Sequence, residues 1–144
     1  MILKPSHIII HNSDTKDSGT VSWGAIRKYH KGLGWNDIGY HFGIEDINGH
    51  PEILMGRLPN IYGAHCRQQG MNRKSIGICV VGCFDTKQPS DVIWDTLVSL
   101  TKWLVDIYDI NVTNVCGHRK YATHKTCPGR MFDMGRLRAD ILCK

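Results

Sequence analysis

Long apolar runs are missing from this 144-residue sequence, and their absence excludes a membrane-spanning helix. A helix that spans a bilayer needs about 20 consecutive apolar residues. The longest apolar-rich stretch, residues 92–110, is interrupted by Asp95, Lys102 and Asp106, which is typical of an amphipathic helix. Residues 1–10 also lack the basic start, apolar run and small-residue cleavage site of a secretory signal. We therefore expect synthesis in the cytoplasm and no membrane association.

An excess of one charge sign is also lacking. The chain has 18 lysines and arginines and 13 acidic residues, which gives a formal net charge of +5. The cations are scattered through the sequence rather than clustered, so no nucleic-acid partner is expected. A mildly cationic surface equally suits an anionic polymer such as bacterial cell wall.

The six cysteines show no pattern of a disulfide framework. Without an export signal they should stay reduced. Cys79 and Cys83 flank a short apolar segment, and in an extended strand they would lie about 13 Å apart, too far to form a disulfide. Cys79 and Cys116 lie in predicted inner strands and are expected to be small core residues.

The length and the 42% hydrophobic content predict one α/β domain over residues 1–144, with a central mixed sheet flanked by helices. The apolar run 75–82 indicates a central strand buried on both faces, and Asn48-Gly49 indicates a hairpin turn. The predicted strands are 7–11, 39–46, 51–57, 75–82 and 112–116, and the predicted helices are 22–31, 90–108 and 132–142.

Three residues carry the chemistry of a metal site. His11 and His118 stand at the ends of predicted strands, and Cys127 follows within the loop 117–129. Two imidazoles and a thiolate are good zinc ligands, and three protein ligands leave a fourth position for water, as in catalytic zinc sites. Taken alone, however, a histidine at a strand end is more often a surface or core residue.

Several motifs, in order along most of the chain from about residue 7 to 137, resemble those of the type 2 N-acetylmuramoyl-L-alanine amidases. This family includes short phage amidase-type lysozymes and the peptidoglycan recognition proteins. The motifs are 8–13 (Ile-Ile-Ile-His-Asn-Ser), 39–42 (Gly-Tyr-His-Phe), 63–65 (Gly-Ala-His), Asn72 with 75–78 (Ser-Ile-Gly-Ile), 117–119 (Gly-His-Arg) and 125–129 (Lys-Thr-Cys-Pro-Gly).

The resemblance implies one Zn²⁺ ion in a groove at the strand ends, bound by His11, His118 and Cys127. It also implies catalytic roles for Tyr40 and Lys125. The Lys125 ammonium would stabilise negative charge on the carbonyl oxygen, and Tyr40 would position water or relay a proton. The sequence does not identify the general base, because the chain has only two glutamates and both lie in the predicted hairpin.

Other polar residues of the motifs have less certain roles. His65, Asn72 and Trp35 are predicted substrate contacts. The alternative is a structural hydrogen-bonding role for His65 and packing for Trp35. His7 would lie about 13 Å from His11 in an extended strand, too far to share a metal. His124, three residues before Cys127, is the competing ligand. His30 and His41 are expected to be packing residues.

The resemblance therefore implies a hydrolase that cuts the amide bond between N-acetylmuramic acid and L-alanine in peptidoglycan. A monomeric phage or prophage endolysin, which reaches the cell wall through a holin, a secretion system or lysis, is its most natural setting. Two alternatives remain open at this point: a non-catalytic module that binds muropeptides, and a phage regulator that binds RNA polymerase.

Overall fold

A five-stranded mixed sheet forms the centre of the computed structural model, which describes residues 2–14 and 22–143. The strands are β1 (His7–Asn12), β2 (Phe42–Ile47), β3 (His50–Met55), β4 (Ser75–Val80) and β5 (Val115–Gly117). Their order across the sheet is β3-β2-β4-β1-β5, so the apolar β4 lies in the middle, as predicted. β1 runs parallel to β4 and β5, β2 runs parallel to β4, and β3 pairs antiparallel with β2.

Three α-helices cover the sheet: α1 (Trp23–Gly32), α2 (Asp91–Tyr108) and α3 (Met134–Cys143). The hydroxyls of Ser22 and Ser90 accept hydrogen bonds from the backbone N–H groups of Ala25 and Ile93, which caps the first turns of α1 and α2. The predicted α/β fold with a mixed sheet flanked by helices is confirmed. Within the described residues, no helix combines the length and the apolar character needed to cross a membrane.

Alternation along the strands assigns a different task to each face of the sheet. Ile8 and Ile10 of β1 belong to the large core beneath α2 and α3. Ile9 belongs to a smaller cluster on the opposite face, and His11 points to that same face because side chains two residues apart lie on one side of a strand. The face with Ile8 and Ile10 therefore supports the core, while the opposite face carries the two histidines of β1, His7 and His11.

Several predicted elements have different bounds in the structure, and the first strand of the hairpin begins at Phe42 rather than at residue 39. The strand expected at 112–116 is a 3₁₀ turn at Val112–Asn114 followed by β5. The side chain of Asn111 accepts hydrogen bonds from the N–H and hydroxyl of Thr113, and this cap favours the turn over an extended chain. The final helix begins at Met134 rather than at residue 132. The Asn48-Gly49 hairpin is confirmed, with both residues at positive φ.

Candidate metal centre

Two adjacent parallel strands bring His11 and His118 together. Ile10 of β1 pairs with Gly117 of β5, so the residues that follow them leave the same edge of the sheet side by side. The centroids of the two imidazole rings lie 4.5 Å apart. Both side chains are buried, so these strand ends hold two candidate nitrogen ligands close together.

Cys127 reaches this point from the loop that follows β5. The N–H of Asn12 donates to its Sγ at 3.4 Å, and its own carbonyl accepts from the N–H of Arg119 at 2.7 Å. The Arg119 guanidinium also donates to the carbonyls of Gly129 and Phe132. These bonds hold the loop against the strand ends, and they leave Cys127 Sγ 3.7 Å from Nδ1 of His11.

The three side chains fit a zinc ion. Their ligand atoms all lie within 4.8 Å of one another, and bonds of 2.0–2.3 Å in a tetrahedral site place ligand atoms about 3.5 Å apart. The Nε2 atom of His118 is buried and has no hydrogen-bond partner in the described part of the chain. A buried polar atom without a partner is unfavourable, and a metal would satisfy it.

Burial keeps the side chains of His11, His118 and Cys127 uncharged at neutral pH. Burial lowers the pKa of His118 to about 4, with the charge of Lys125 acting in the same direction. Burial likewise holds the pKa of His11 well below its ordinary value. Both rings are therefore neutral at pH 7, the form that binds metals. Burial raises the pKa of the Cys127 thiol to about 11 although the Asn12 N–H and Lys125 oppose this, so a bound metal would have to displace its proton.

A cavity of about 530 Å³ opens over these three residues. Tyr40, Lys125, Trp35 and His65 line it, as does His124. Burial holds the pKa of Tyr40 well above 10, with the Cys79 and Cys127 sulfurs acting in the same direction. The Tyr40 hydroxyl is therefore protonated at neutral pH, and it is hydrogen-bonded to the Cys79 sulfur.

Asn72 has a different position from the other predicted substrate contacts. Its side-chain oxygen accepts hydrogen bonds from the backbone N–H groups of His65 and Cys66, at 2.7 and 2.8 Å. It does not line the cavity over the metal ligands. The structure thus gives Asn72 a role in holding His65, and its predicted contact with substrate has no support in this geometry.

The remaining histidines lie outside the ligand set. His124 is exposed and is not among the clustered ligands. His41 is fully buried, and its Nδ1 accepts from the N–H of Gly77. His30 accepts from the N–H of Gly39, and His7 lies beside the hydroxyl of Ser6. All six cysteines are free thiols, with Cys79 and Cys116 buried in accordance with the prediction.

Sequence reasoning did not identify Asn12 and Ser75 as parts of the site. Asn12 directly follows a predicted ligand and binds Cys127 through its backbone, an interaction that has no side-chain signature. Ser75 lies beside the His65 ring. Its signal was the motif Ser75-Ile76-Gly77, which the sequence analysis used only as a mark of family resemblance.

Comparison with known proteins agrees with the geometry. Residues 2–130 match the family model described as N-acetylmuramoyl-L-alanine amidase. The endolysin of Escherichia phage T7 is 37% identical over 134 residues, which are 90% of this chain and 82% of that protein. The solved amidase LysC from Clostridium intestinale is 27% identical with a TM-score of 0.84, covering 99% of this chain and 88% of its own.

A second similar structure holds a ligand. It is a mutant of Drosophila PGRP-LB in complex with tracheal cytotoxin, which is a monomeric diaminopimelic acid-type peptidoglycan. That protein is 29% identical to this chain with a TM-score of 0.74, and the match covers 92% of this chain and 82% of that one.

Proposed function

The chain belongs to the N-acetylmuramoyl-L-alanine amidase family and is a peptidoglycan amidase, and we propose that it works with one zinc ion held by His11, His118 and Cys127. The observation that carries this proposal is the cluster of three ligand atoms, all within 4.8 Å of one another, together with the buried Nε2 of His118, which has no hydrogen-bond partner among the described residues. When bound, zinc supplies a Lewis acid and a water nucleophile that is active at neutral pH.

Two side chains of the cavity act on the scissile amide. The Lys125 ammonium is exposed at the cavity, where it stabilises the negative charge that develops on the carbonyl oxygen of the lactyl group. The Tyr40 hydroxyl keeps its proton at neutral pH, and we assign it to positioning the attacking water or relaying a proton.

The substrate is the peptidoglycan strand, bound in the open cavity. The muropeptide ligand of the similar Drosophila protein supports this substrate class. Trp35, with its ring 4.6 Å from that of His30, forms part of the cavity wall and offers an apolar surface to substrate. Similarity to the phage T7 endolysin supports a role in phage lysis, in which a monomer made in the host cytoplasm acts on the cell wall after release.

Mass spectrometry of digested peptidoglycan tests the activity and the metal together. Purified peptidoglycan is incubated with the native protein, the metal-stripped protein, the zinc-restored protein and Cys127→Ala. We expect free stem peptides with an L-alanine amino terminus, lost on stripping and restored by zinc. If all digests return intact peptidoglycan although the protein still binds it, the chain is a muropeptide-binding module. Cleavage that survives stripping would instead refute the zinc site.

A further inference from the structure

The His65 ring has hydrogen-bond contacts on two sides, and the proposed cleavage of the amide bond does not use this ring. The Nδ1 atom of His65 lies 2.8 Å from Nε2 of His11, and the two rings meet edge to face with centroids 4.9 Å apart. On its other side, Nε2 of His65 lies 3.4 Å from both the carbonyl oxygen and the hydroxyl of Ser75. His65 therefore connects β4 with a proposed metal ligand on β1.

The partners of Ser75 determine where the ring protons lie. The Ser75 hydroxyl donates its own proton to the carbonyl of Met71 at 2.7 Å, so it can only accept from His65. The carbonyl oxygen of Ser75 is likewise an acceptor. The proton of the neutral His65 ring therefore sits on Nε2, and its Nδ1 carries a lone pair.

The same reasoning extends to His11. Because Nδ1 of His65 is an acceptor, the 2.8 Å contact requires a proton on Nε2 of His11. A neutral imidazole has one N–H group, so the other nitrogen of His11, Nδ1, carries the lone pair. That atom is the one 3.7 Å from Cys127 Sγ. The hydrogen-bond chain therefore presents the lone pair of His11 to the position of the metal.

Backbone contacts keep the His65 ring in this place. A side chain at Gly63 or Gly77 would put its Cβ 2.5 or 2.6 Å from ring carbons of His65, so the ring fits only between two glycines. Asn72 fixes the backbone below the ring through the N–H of His65. The motifs 63–65, Asn72 and 75–77 thus form one structure around a single imidazole.

We propose that His65 is a positioning residue that sets the tautomer of His11, so that Nδ1 of His11 binds the metal. The inference rests on the proposed zinc site. Groups that orient metal ligands commonly change metal affinity by about 10- to 100-fold when removed. We expect a loss of that size when the acceptor at His65 is removed.

Two variants test the hydrogen-bond acceptor of His65 separately from the volume of its ring. His65→Phe keeps an aromatic ring between the glycines and removes the acceptor. His65→Asn places its Oδ1 the same number of bonds from Cα as Nδ1, so it restores an acceptor toward His11. Zinc affinity is measured by competition with a chromophoric chelator, and thermal unfolding of the zinc-free forms reports their folding. We expect a 10- to 100-fold weaker affinity in His65→Phe and recovery of most of it in His65→Asn.

Nitrogen NMR of the wild-type protein tests the tautomer without any substitution. With ¹⁵N-labelled histidine and bound zinc, we expect the ring protons of His11 and His65 on Nε2. A proton on Nδ1 of His11, or equal zinc affinity in wild type and His65→Phe, would overturn the inference while leaving the zinc site intact. A wild-type protein that binds no zinc would refute the proposed zinc site, and the inference with it.

Discussion

The Sγ atom of Cys127 lies 3.7 Å from Nδ1 of His11, although the two residues are 116 positions apart in the sequence. Cys127 carries its thiol on a loop, and His11 carries its imidazole on an inner strand of the sheet. A zinc ion between them would link the loop 117–129 to the sheet.

Replacement of Cys127 tests this relationship. Cys127→Ala removes one of three protein ligands, so zinc affinity and amidase activity should fall by more than the roughly 10- to 100-fold typical of residues that only orient ligands. Cys127→Asp should retain part of both, because carboxylate oxygen also binds zinc. Zinc content and peptide release are the measurements. The control is Cys143→Ala, which removes an exposed thiol on α3. Full zinc content in Cys127→Ala would refute the assignment.

Lys125→Met removes a positive charge from the cavity while keeping the length of the side chain. The loss of a group that stabilises the developing oxyanion should lower kcat by about 100- to 1,000-fold. KM should change little, because the charge it stabilises is absent from the bound substrate. Steady-state kinetics on soluble muropeptides measure both constants. Lys28→Met, on the exposed surface of α1, makes the same change in net charge away from the cavity. Similar kinetics for the two variants would refute the role of Lys125.

Trp35→Ala removes an aromatic surface from the wall of the cavity. If substrate packs against this ring, KM should rise about 2- to 10-fold, which corresponds to roughly 0.5–1.5 kcal/mol for an aromatic contact. Zinc content should stay unchanged, since Trp35 is outside the ligand set. Trp103→Ala removes an exposed tryptophan from α2, far from the cavity lining, and serves as the control. An unchanged KM in Trp35→Ala would contradict substrate contact.

His41 predicts acid sensitivity of the zinc-free protein. Burial lowers its pKa from 6.5 to about 4, and the positive charge of Arg57 acts in the same direction while the Ile61 carbonyl opposes it. The buried neighbour His65 also has a lowered pKa, of about 3. Because the unfolded chain takes up protons below pH 6.5 and folded His41 does not, stability should be complete above pH 6.5 and fall towards pH 4. The contribution of His41 is on the order of 3 kcal/mol.

Urea unfolding at several pH values between 7.5 and 4.5 measures this effect. His41→Asn can still accept from the N–H of Gly77 but has no imidazole to protonate. It should therefore show a shallower decline in stability than the wild type, whatever its stability at pH 7.5. His50→Asn, at the exposed first residue of β3, is the control. Equal slopes in wild type and His41→Asn would contradict the prediction.

Two glycines should respond oppositely to alanine. A Cβ at Gly43 of β2 would lie 2.4 Å from the Trp23 ring, which fills the space between α1 and the sheet. Gly43→Ala should therefore lower the free energy of unfolding by about 1–3 kcal/mol. Gly32 at the end of α1 has no atom within 4 Å of its Cβ position, so Gly32→Ala should raise it by about 0.4–1 kcal/mol. Chemical denaturation decides, and equal effects would refute the packing argument.

Local patterns in the sequence were sufficient for the elements that depend on local physics. The sequence predicted helices over residues 22–31 and 90–108, where α1 and α2 form, and Asn48-Gly49 predicted the hairpin. The turn at Val112–Asn114 was missed because a single side-chain cap at Asn111 outweighed the apolar content of the segment. Strand order beyond the central position of β4 depends on pairings between distant segments, which a single sequence does not encode locally.

The site shows the same division. The motifs identified His11, His118 and Cys127 as candidate metal ligands, and the structure places their side chains close together. Which nitrogen of His11 faces the cavity depends on His65 and Ser75, whose arrangement follows from the pairing of β1 with β4. Asn72 was expected from its motif to contact substrate, but its side-chain oxygen accepts from backbone N–H groups of its own loop. Polarity indicates that a side chain needs a partner and does not identify that partner.

The position of β1 inside the sheet has a consequence for the order of folding. Its residues pair with β4, 68 positions later, and with β5, 107 positions later. Such pairings close long loops, and the entropy lost in closing them slows folding. The hairpin and α2 can form from their own neighbouring residues, whereas β1 cannot be enclosed until β5 has been synthesised. During translation, the catalytic site is therefore assembled among the last contacts, after most of the domain has left the ribosome.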